Sequence, residues 1–405
     1  MRSDTTHPDY NDASAVLQTL SKSHPKTLTL RRIGQSARQR DIQAAIITAP
    51  DGNDDIKERV LVIAGQHGSE ESGRAVALAL IQYMLTDEAL DIRAKQIVAV
   101  IPCVNPDGSI LNTYRNADDI DIAHTYSFDQ PPGTPEGKAL VEFAADFVPD
   151  AFVDIHGLAG GSMKDRVWLP SVPAFYPERE YSTRIAFAMI DAAIQAGYPQ
   201  SVMKPPALLT NAYGIGEVLS LRYKCMAFGL EAIERYYREP EWADSGLVRL
   251  KTLLSYGQKD AFGLGRTGYP SHLVAGDRMY GLAAHGETAA SRRQNRVELA
   301  RFLQNNFAVV DRMSDGQTDG AEIIIRSDGI KGENPPRFSV IASIKKPCRF
   351  VSVSWKGTTL PPDGAFGYEL IDQPHALLVR VNINEPFGGD ERRIIIRYES
   401  PYLRD

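Results

Sequence analysis

The sequence predicts an α/β protein, a mostly parallel or mixed sheet with helices on both faces, followed by a small C-terminal β-sandwich. Three observations carry this expectation. Strand-length apolar runs alternate with longer amphipathic segments through the first three quarters of the chain. Those runs are apolar throughout, as strands covered on both faces are. Beyond residue 317 the helical period disappears, and short strand-type runs follow one another between turns rich in Gly, Pro and Asp.

Taken in order, strands are expected over Ile42–Thr48, Val60–Ala64, Ile97–Pro102, Ala151–Ile155 and Cys225–Leu230. Helices are expected over Ser72–Leu85, Pro135–Phe147 and Ser182–Ala196, where apolar side chains recur at a helical period. Thr134 and Pro135 suit the cap and first turn of the second helix. Further helices are expected over Ala243–Phe262 and Ala290–Asn306. After DGQTD at 315–319, strands are expected over Ala321–Arg326, Arg337–Ile344, Phe350–Trp355, Phe366–Ile371, Ala376–Ile383 and Arg393–Tyr398, punctuated by DGIKGENPP, PPDG and EPFGGD. The boundary is set at 317, giving a first domain over 1–316 and a β-sandwich over 317–405.

A chain of 405 residues suits two domains. Hydrophobic residues at 43% and charged residues at 24% give the balance of a soluble globular protein. The net charge of −6, with no run of Lys or Arg, argues against nucleic acid or an anionic membrane as partner. The start, MRSDTTHPDYNDASAV, has no apolar stretch of signal-peptide type, and no run approaches a membrane span. The three cysteines, Cys103, Cys225 and Cys348, are scattered and form no CxxC pair. Such a set fits a reducing compartment, so a cytoplasmic location is expected.

The first residues with chemical potential lie in AGQHGSEESG, 64–73, between a strand and a helix. His67 and Glu70 are three apart and can address one ion from a single turn. With 8 His and 51 acids in the chain, such a pair is expected about once by chance, so spacing alone decides nothing. Position decides more. The end of a strand entering a helix is where open α/β sheets place ligands. His156 closes another apolar strand, in AFVDIHG at 151–157, and can join the same edge. Two imidazoles and a carboxylate leave a fourth position for water in a zinc site. Asp154 either holds a histidine ring in its tautomer or faces the other way. Further candidates are Arg115 and Asn116 after NPDG (105–108), a segment that by itself reads as a turn, and Glu231, a carboxylate at the end of an apolar strand.

His67-x-x-Glu70, NPDG, Arg115 with Asn116, DIHG at 154–157 and a strand ending in Glu231 follow one another in the order found in zinc carboxypeptidases. The chain resembles that family over about residues 8–310, including Tyr10…Gly34-Gln-Ser at the entry. The resemblance implies a mixed eight-stranded sheet and one zinc ion held by His67, Glu70 and His156. It implies Glu231 as general base, with Glu234 a weaker rival, and Arg115 as the residue that stabilises the oxyanion. Tyr213 corresponds loosely to a mobile substrate-site tyrosine.

One departure bears on substrate. Where the family carries Asp-x-Asn-Arg to grip a terminal carboxylate, this sequence reads Asp121-Ile122-Ala123-His124. Neither Ala123 nor His124 offers the forked guanidinium, so the clamp falls to His124, to another arginine such as Arg166 or Arg222, or is missing. The expected activity is zinc-dependent cleavage of a peptide or amide bond. The alternatives are an amidase or deacylase of a small N-acyl amino acid or cell-wall peptide, and a metal-binding homologue without catalysis. The β-sandwich is expected to shape the substrate mouth, to form a homo-oligomer contact, or to do neither. His7, His24, His272, His285 and His375 are expected at surface or packing positions, Cys103 as a buried apolar residue, and Trp168, Trp242 and Trp355 in packing.

Overall fold

The computed structural model describes residues 7–50, 52–127, 130–158, 165–170, 178–199, 201–203, 214–223, 225–233, 239–257, 280–284, 289–290, 293–294, 308–314, 320–327, 338–362, 367–372, 376–383 and 394–399. The chain divides into two compact units, Met1–Val172 with Ser182–Gly263, and Pro173–Tyr181 with Leu264–Asp405. Through residue 257 the elements are α1 (Tyr10–Ser23), β1 (Leu28–Gln35), β2 (Asp41–Ile47), β3 (Glu58–Ala64), α2 (Glu71–Met84), α3 (Leu90–Lys95), β4 (Gln96–Ile101), α4 (Pro106–Leu111), α5 (Pro135–Phe147), β5 (Ala151–Leu158), β6 (Asp165–Trp168), α6 (Glu178–Gln195), β7 (Ser201–Met203), α7 (Ile215–Tyr223), β8 (Met226–Ile233) and α8 (Glu239–Gly257).

The strands form one 8-stranded mixed sheet in the order β1-β2-β4-β3-β5-β8-β6-β7. Its centre, β4-β3-β5-β8, is parallel, and β2 and β6 join it antiparallel on either side. Apolar side chains cover both faces of this centre, which is why the strands read as unbroken hydrophobic runs. On one face Leu61, Ile63 and Phe152 pack with Phe143 of α5 and Leu219 of α7. The other face meets α2 and α8, where Ser72 Oγ donates to the Ala232 carbonyl at 3.1 Å and Arg249 Nη2 donates to Asp165 Oδ2 at 2.5 Å.

The strands expected in this region all form, with ends at most three residues from the expected positions. The short β6 and β7 were not anticipated, because DRVW and SVM carry too little pattern to read. The expected cap of α5 is present, with Thr134 Oγ1 accepting from Gly137 N at 3.1 Å. NPDG is more than a turn. Asn105 accepts from Gly108 N at 2.9 Å, and Pro106 fills a first-turn position that needs no N–H, so the segment opens the short helix α4. The expected helix at Ala243–Phe262 is observed as Glu239–Gly257, its last expected residues lying outside the described ones. The helix expected over Ala290–Asn306 also falls almost entirely outside them.

The second unit carries β9 (Tyr280–Ala284), β10 (Ala308–Ser314), β11 (Gly320–Ser327), β12 (Phe338–Lys345), β13 (Arg349–Trp355), β14 (Thr358–Thr359), β15 (Gly367–Asp372), β16 (Ala376–Ile383) and β17 (Ile394–Glu399). They form antiparallel sheets of 5 strands, β10-β11-β17-β13-β14, and 4 strands, β15-β16-β12-β9. Burial alternates along them at Val353 and Trp355, at Leu377, Val379 and Val381, and at Ile394, Ile396 and Tyr398. Each sheet therefore buries one face, as paired sheets do. Two of the strands, β9 and β10, come from the chain ahead of residue 317.

Candidate metal centre

The loop that carries His67 and Glu70 connects β3 to α2. It lies backbone to backbone against α4, and a Cβ on Gly68 would fall 2.0 Å from the Gly108 carbonyl carbon. Glycine is therefore required where the two motifs meet. Asn105 Nδ2 donates to the Gln66 carbonyl at 3.1 Å, and Gly68 N donates to the Tyr114 carbonyl at 3.3 Å. His156 and Glu231 sit within β5 and β8 rather than beyond them, paired across the parallel ladder.

His67, Glu70 and His156 are all buried and converge, with one ligand atom of each within 4.8 Å of the others. His67 Nδ1 is 2.9 Å from Glu70 Oε1, and His156 Nδ1 is 3.1 Å from both Glu70 Oε2 and His67 Nδ1. Each ring turns its other nitrogen to a carboxylate. His67 Nε2 faces Asp121 Oδ1 at 3.2 Å, and His156 Nε2 faces Asp154 Oδ2 at 3.0 Å. With an ion bound, those carboxylates would accept the Nε2 protons and leave both Nδ1 lone pairs facing it, the usual second support of a metal-binding histidine. Residues two apart share a face of a strand, which is why Asp154 reaches the His156 ring. Asp154 is held in turn by Gln66 Nε2 at 2.7 Å, and Gln66 Oε1 accepts from Tyr126 Oη at 2.7 Å.

The donor set fits zinc. Two nitrogens and a carboxylate oxygen are the ligands of open zinc sites, and atoms bound at about 2.1 Å in a tetrahedron lie roughly 3.4 Å apart. The separations here are close to that. Electrostatics agree with crowded ionic ligands. Burial opposes ionisation of Glu70, but the charge of His156 and hydrogen bonds from His156 and His67 hold its pKa down at about 2. Burial likewise opposes a charged His156, yet Asp154 and Glu70 hold its pKa well above the ordinary value.

Glu231 is buried beside His156. The loop from Tyr114 to His124 is arranged differently. Arg115 Nη1 donates to the Asp119 carbonyl at 2.9 Å, its side chain 54% exposed, and is not drawn to the ligands. Asn116 is buried, its Nδ2 donating to Glu136 Oε2 at 3.2 Å and its Oδ1 accepting from the backbone of Asp118 and Ile120, so its amide organises the loop. His124 lies 2.9 Å from Asp121 Oδ2 through Nδ1, making Asp121 a bridge between His124 and His67. Arg222 Nη2 donates to the Ser127 carbonyl at 3.2 Å. Tyr213 and Glu234 lie outside the described residues.

Sequence reasoning missed several neighbours of the centre. Tyr114 stacks on His67, ring centroids 3.7 Å apart and planes at 17°. Burial and then the charges of Asp121, Glu70 and Glu231 push its hydroxyl up to about 12. Trp168, expected in simple packing, sits 5.7 Å from His156 and lies over Gly229, where a Cβ would fall 1.9 Å from the indole. Cys103 is buried as expected, and burial lifts its thiol to about 11. His7 pairs with Glu71 at 2.7 Å and meets Trp242 edge-on, while His24 contacts the Leu20 carbonyl. His272, His285 and His375 lie outside the described residues.

The zinc carboxypeptidase family model matches residues 13–119. Carboxypeptidase D of Homo sapiens is 27% identical over 150 residues, which cover 33% of this chain and 11% of that protein. Among solved structures, a metallo-carboxypeptidase from Burkholderia cenocepacia aligns with a TM-score of 0.53 at 19% identity, covering 62% of this chain and 70% of its own. Carboxypeptidase A from Helicoverpa armigera aligns with a TM-score of 0.53 at 16% identity, covering 65% of this chain and 76% of its own. Residues 13–119 are thus similar in sequence to zinc carboxypeptidases, and the fold that brings His67, Glu70 and His156 together is the one these solved metallo-carboxypeptidases share.

Proposed function

We propose that the protein is a zinc-dependent hydrolase of peptide or amide bonds, with one ion held by His67, Glu70 and His156. The observation that carries this is the convergence of three buried ligand atoms within 4.8 Å, each histidine backed by a carboxylate on its outer nitrogen. Zinc in such a set supplies Lewis acidity and lowers the pKa of a water to roughly 7.

The chain's own residues do the rest. Glu231, one strand over from His156, accepts the proton of the attacking water and passes it to the leaving amine as the C–N bond breaks. Arg115 stabilises the carbonyl oxyanion after exchanging its exposed contact with Asp119, an interaction of the weak class worth about 0.2–1 kcal/mol. Tyr213, Asn116 and His124 are assigned to the substrate side, Asn116 and His124 acting through the loop they organise. We assign residues 1–316 the catalytic role and 317–405 an accessory one, with β9 and β10 contributed from the chain ahead of the boundary. The free cysteines Cys103, Cys225 and Cys348 accord with a reducing, cytoplasmic setting, and no helix among the described residues is long and apolar enough to cross a membrane.

A deacylase of small N-acyl amino acids is the second reading, favoured by Ala123 and by the engagement of His124 with Asp121. The test is hydrolysis of a panel of free and blocked peptides and N-acyl amino acids, with metal content measured alongside. Turnover that disappears with a chelator and returns with zinc is expected. Turnover indifferent to chelation, or no stoichiometric zinc, would overturn the proposal.

A further inference from the structure

Arg166 stands one strand beyond Glu231. β6 runs antiparallel to β8 with Arg166 opposite Glu231, and β5 runs parallel to β8 with His156 opposite the same residue. Residues directly opposed across an antiparallel pair share a face, their Cβ atoms about 4.5–5.5 Å apart. His156, Glu231 and Arg166 therefore form one row across the face that carries the ligands.

The facing of β6 is fixed from both sides. Asp165 and Val167 are buried on the opposite face, where Asp165 Oδ2 accepts from Ser245 Oγ at 2.6 Å and from Arg249 Nη2 at 2.5 Å. Trp168, two residues on and on the same side as Arg166, lies over Gly229 next to His156. Slipping β6 by one residue would bring Asp165 out of its ion pair and drive the indole off the glycine. The position of Arg166 is thus enforced by a strand rather than by a loop, the support a binding residue needs.

We propose that Arg166 recognises a carboxylate of the substrate close to the scissile bond, in place of the Asn-Arg pair that Ala123 and His124 replace. A guanidinium is always charged and meets a carboxylate with two parallel hydrogen bonds, which neither alanine nor an imidazole can do. The substrates are accordingly amides bearing a negative charge beside the reacting carbonyl. This rests on the zinc-dependent amide hydrolase reading given above. The carboxylate belongs either to a peptide C-terminus or to the acyl group, and the same guanidinium chemistry serves both.

The experiment is calorimetric binding to the zinc-loaded full chain, comparing wild type with Arg166→Gln and Arg166→Lys. One probe pair is N-acetyl-phenylalanine and its carboxamide, which differ in the terminal carboxylate. The other is N-succinyl-phenylalaninamide and N-butanoyl-phenylalaninamide, which differ in the acyl carboxylate. At least a tenfold preference for the charged member of one pair is expected in wild type. That preference should collapse to about one in Arg166→Gln and survive in part in Arg166→Lys, and the responsive pair identifies the source of the charge. Equal binding within both pairs in wild type would overturn the proposal, as would a preference that Arg166→Gln leaves intact. Loss of zinc or equal loss of every probe in both variants would show that Arg166 only supports Glu231, and would overturn it too. An Arg166-dependent preference in a protein that hydrolyses nothing would leave this site standing and remove the hydrolase reading instead.

Discussion

The His67–Glu70–His156 cluster and the loop from Tyr114 to His124 are neighbours, yet they follow different rules. His156 and Glu231 hang from a parallel ladder whose register sets which side chains share a face. His67 and Glu70 ride a short connection pinned between β3 and α4 by a glycine–glycine contact. The segment from Tyr114 to His124 has no ladder, and its side chains settle on local partners, Arg115 on Asp119, Asn116 on Glu136 and His124 on Asp121. The expected grouping of residues is met where backbone hydrogen bonds enforce it. It is met less well where a side chain is free to choose.

The sharpest way to break this comparison is to remove a ligand. His67→Ala or His156→Ala should abolish stoichiometric zinc and reduce chelator-sensitive hydrolysis to background. Zinc at one hundred times its Kd should stabilise the wild-type protein by about 2.7 kcal/mol and these variants by almost nothing. Denaturant titration with and without zinc measures this, and an undiminished zinc effect in His156→Ala would mean that the ion binds elsewhere. Glu231→Gln comes next. It should retain zinc and fold while losing roughly 10²–10⁴ in kcat. Retained activity would move the general base to another carboxylate.

The same division explains what was legible in the sequence. The apolar runs announced the central strands because burial on both faces leaves little freedom in composition. His67, Glu70 and His156 were readable because strand ends in an α/β sheet converge. What escaped were partners chosen by loops or by short strands. Nothing in the spacing of Asp121 links it to His67, 54 residues earlier. Arg166 was named as a possible clamp but not placed, and Trp168 was expected only in packing, because the strand of 4 residues that carries them has a polar start that conceals it. NPDG read as a turn because its capping asparagine and first-turn proline also suit turns.

The supporting carboxylates test the intermediate case, a ligand orientation set by one side chain. Asp154→Asn should lower zinc affinity by roughly 10–100-fold, the usual consequence of losing such a partner, and Asp121→Asn should act similarly through His67. Competition titration with a zinc chelator reads this directly, and unchanged affinity in both variants would remove their proposed role. Protons probe the same groups. In the metal-free protein the raised pKa of His156 gives stability that is complete below about pH 6.5 and is lost as pH rises through the folded value. The lowered Glu70 gives stability present above 4.5 and lost as pH falls through about 2. Zinc must displace the His156 proton, so its own contribution grows with pH, by at most about 1.36 kcal/mol per unit for each proton released. The stability gap between zinc-loaded and metal-free protein should therefore widen from pH 6 to pH 8, and a constant gap would break the assignment of His156 as a ligand.

The smallest effect is expected at His124, and it separates two accounts of the clamp. If His124 gripped a substrate carboxylate, binding would weaken as pH rose through the ordinary histidine pKa of about 6.5, because a neutral ring no longer offers a positive charge. The structure instead turns its Nδ1 to Asp121, which also accepts from His67 Nε2 and from Ala123 N. Burial works against the Asp121 charge, but the hydrogen bond from His124 and the charge of His67 more than offset it and lower its pKa. Asp121 thus stays ionised with His124 as its more exposed partner, the His124 side chain being 61% exposed. Exposed pairs of this kind contribute about 0.2–1 kcal/mol, equivalent to a few-fold change. His124→Ala should accordingly alter zinc affinity and kcat/KM by less than about fivefold. The ratio of rates on charged and neutral substrates should stay flat between pH 6 and pH 8 in both forms. A ratio that falls with pH in the wild type and is flat in His124→Ala would restore His124 as the clamp. It would also show that a loop side chain had abandoned its local partner for the ligand, the exchange proposed above for Arg115.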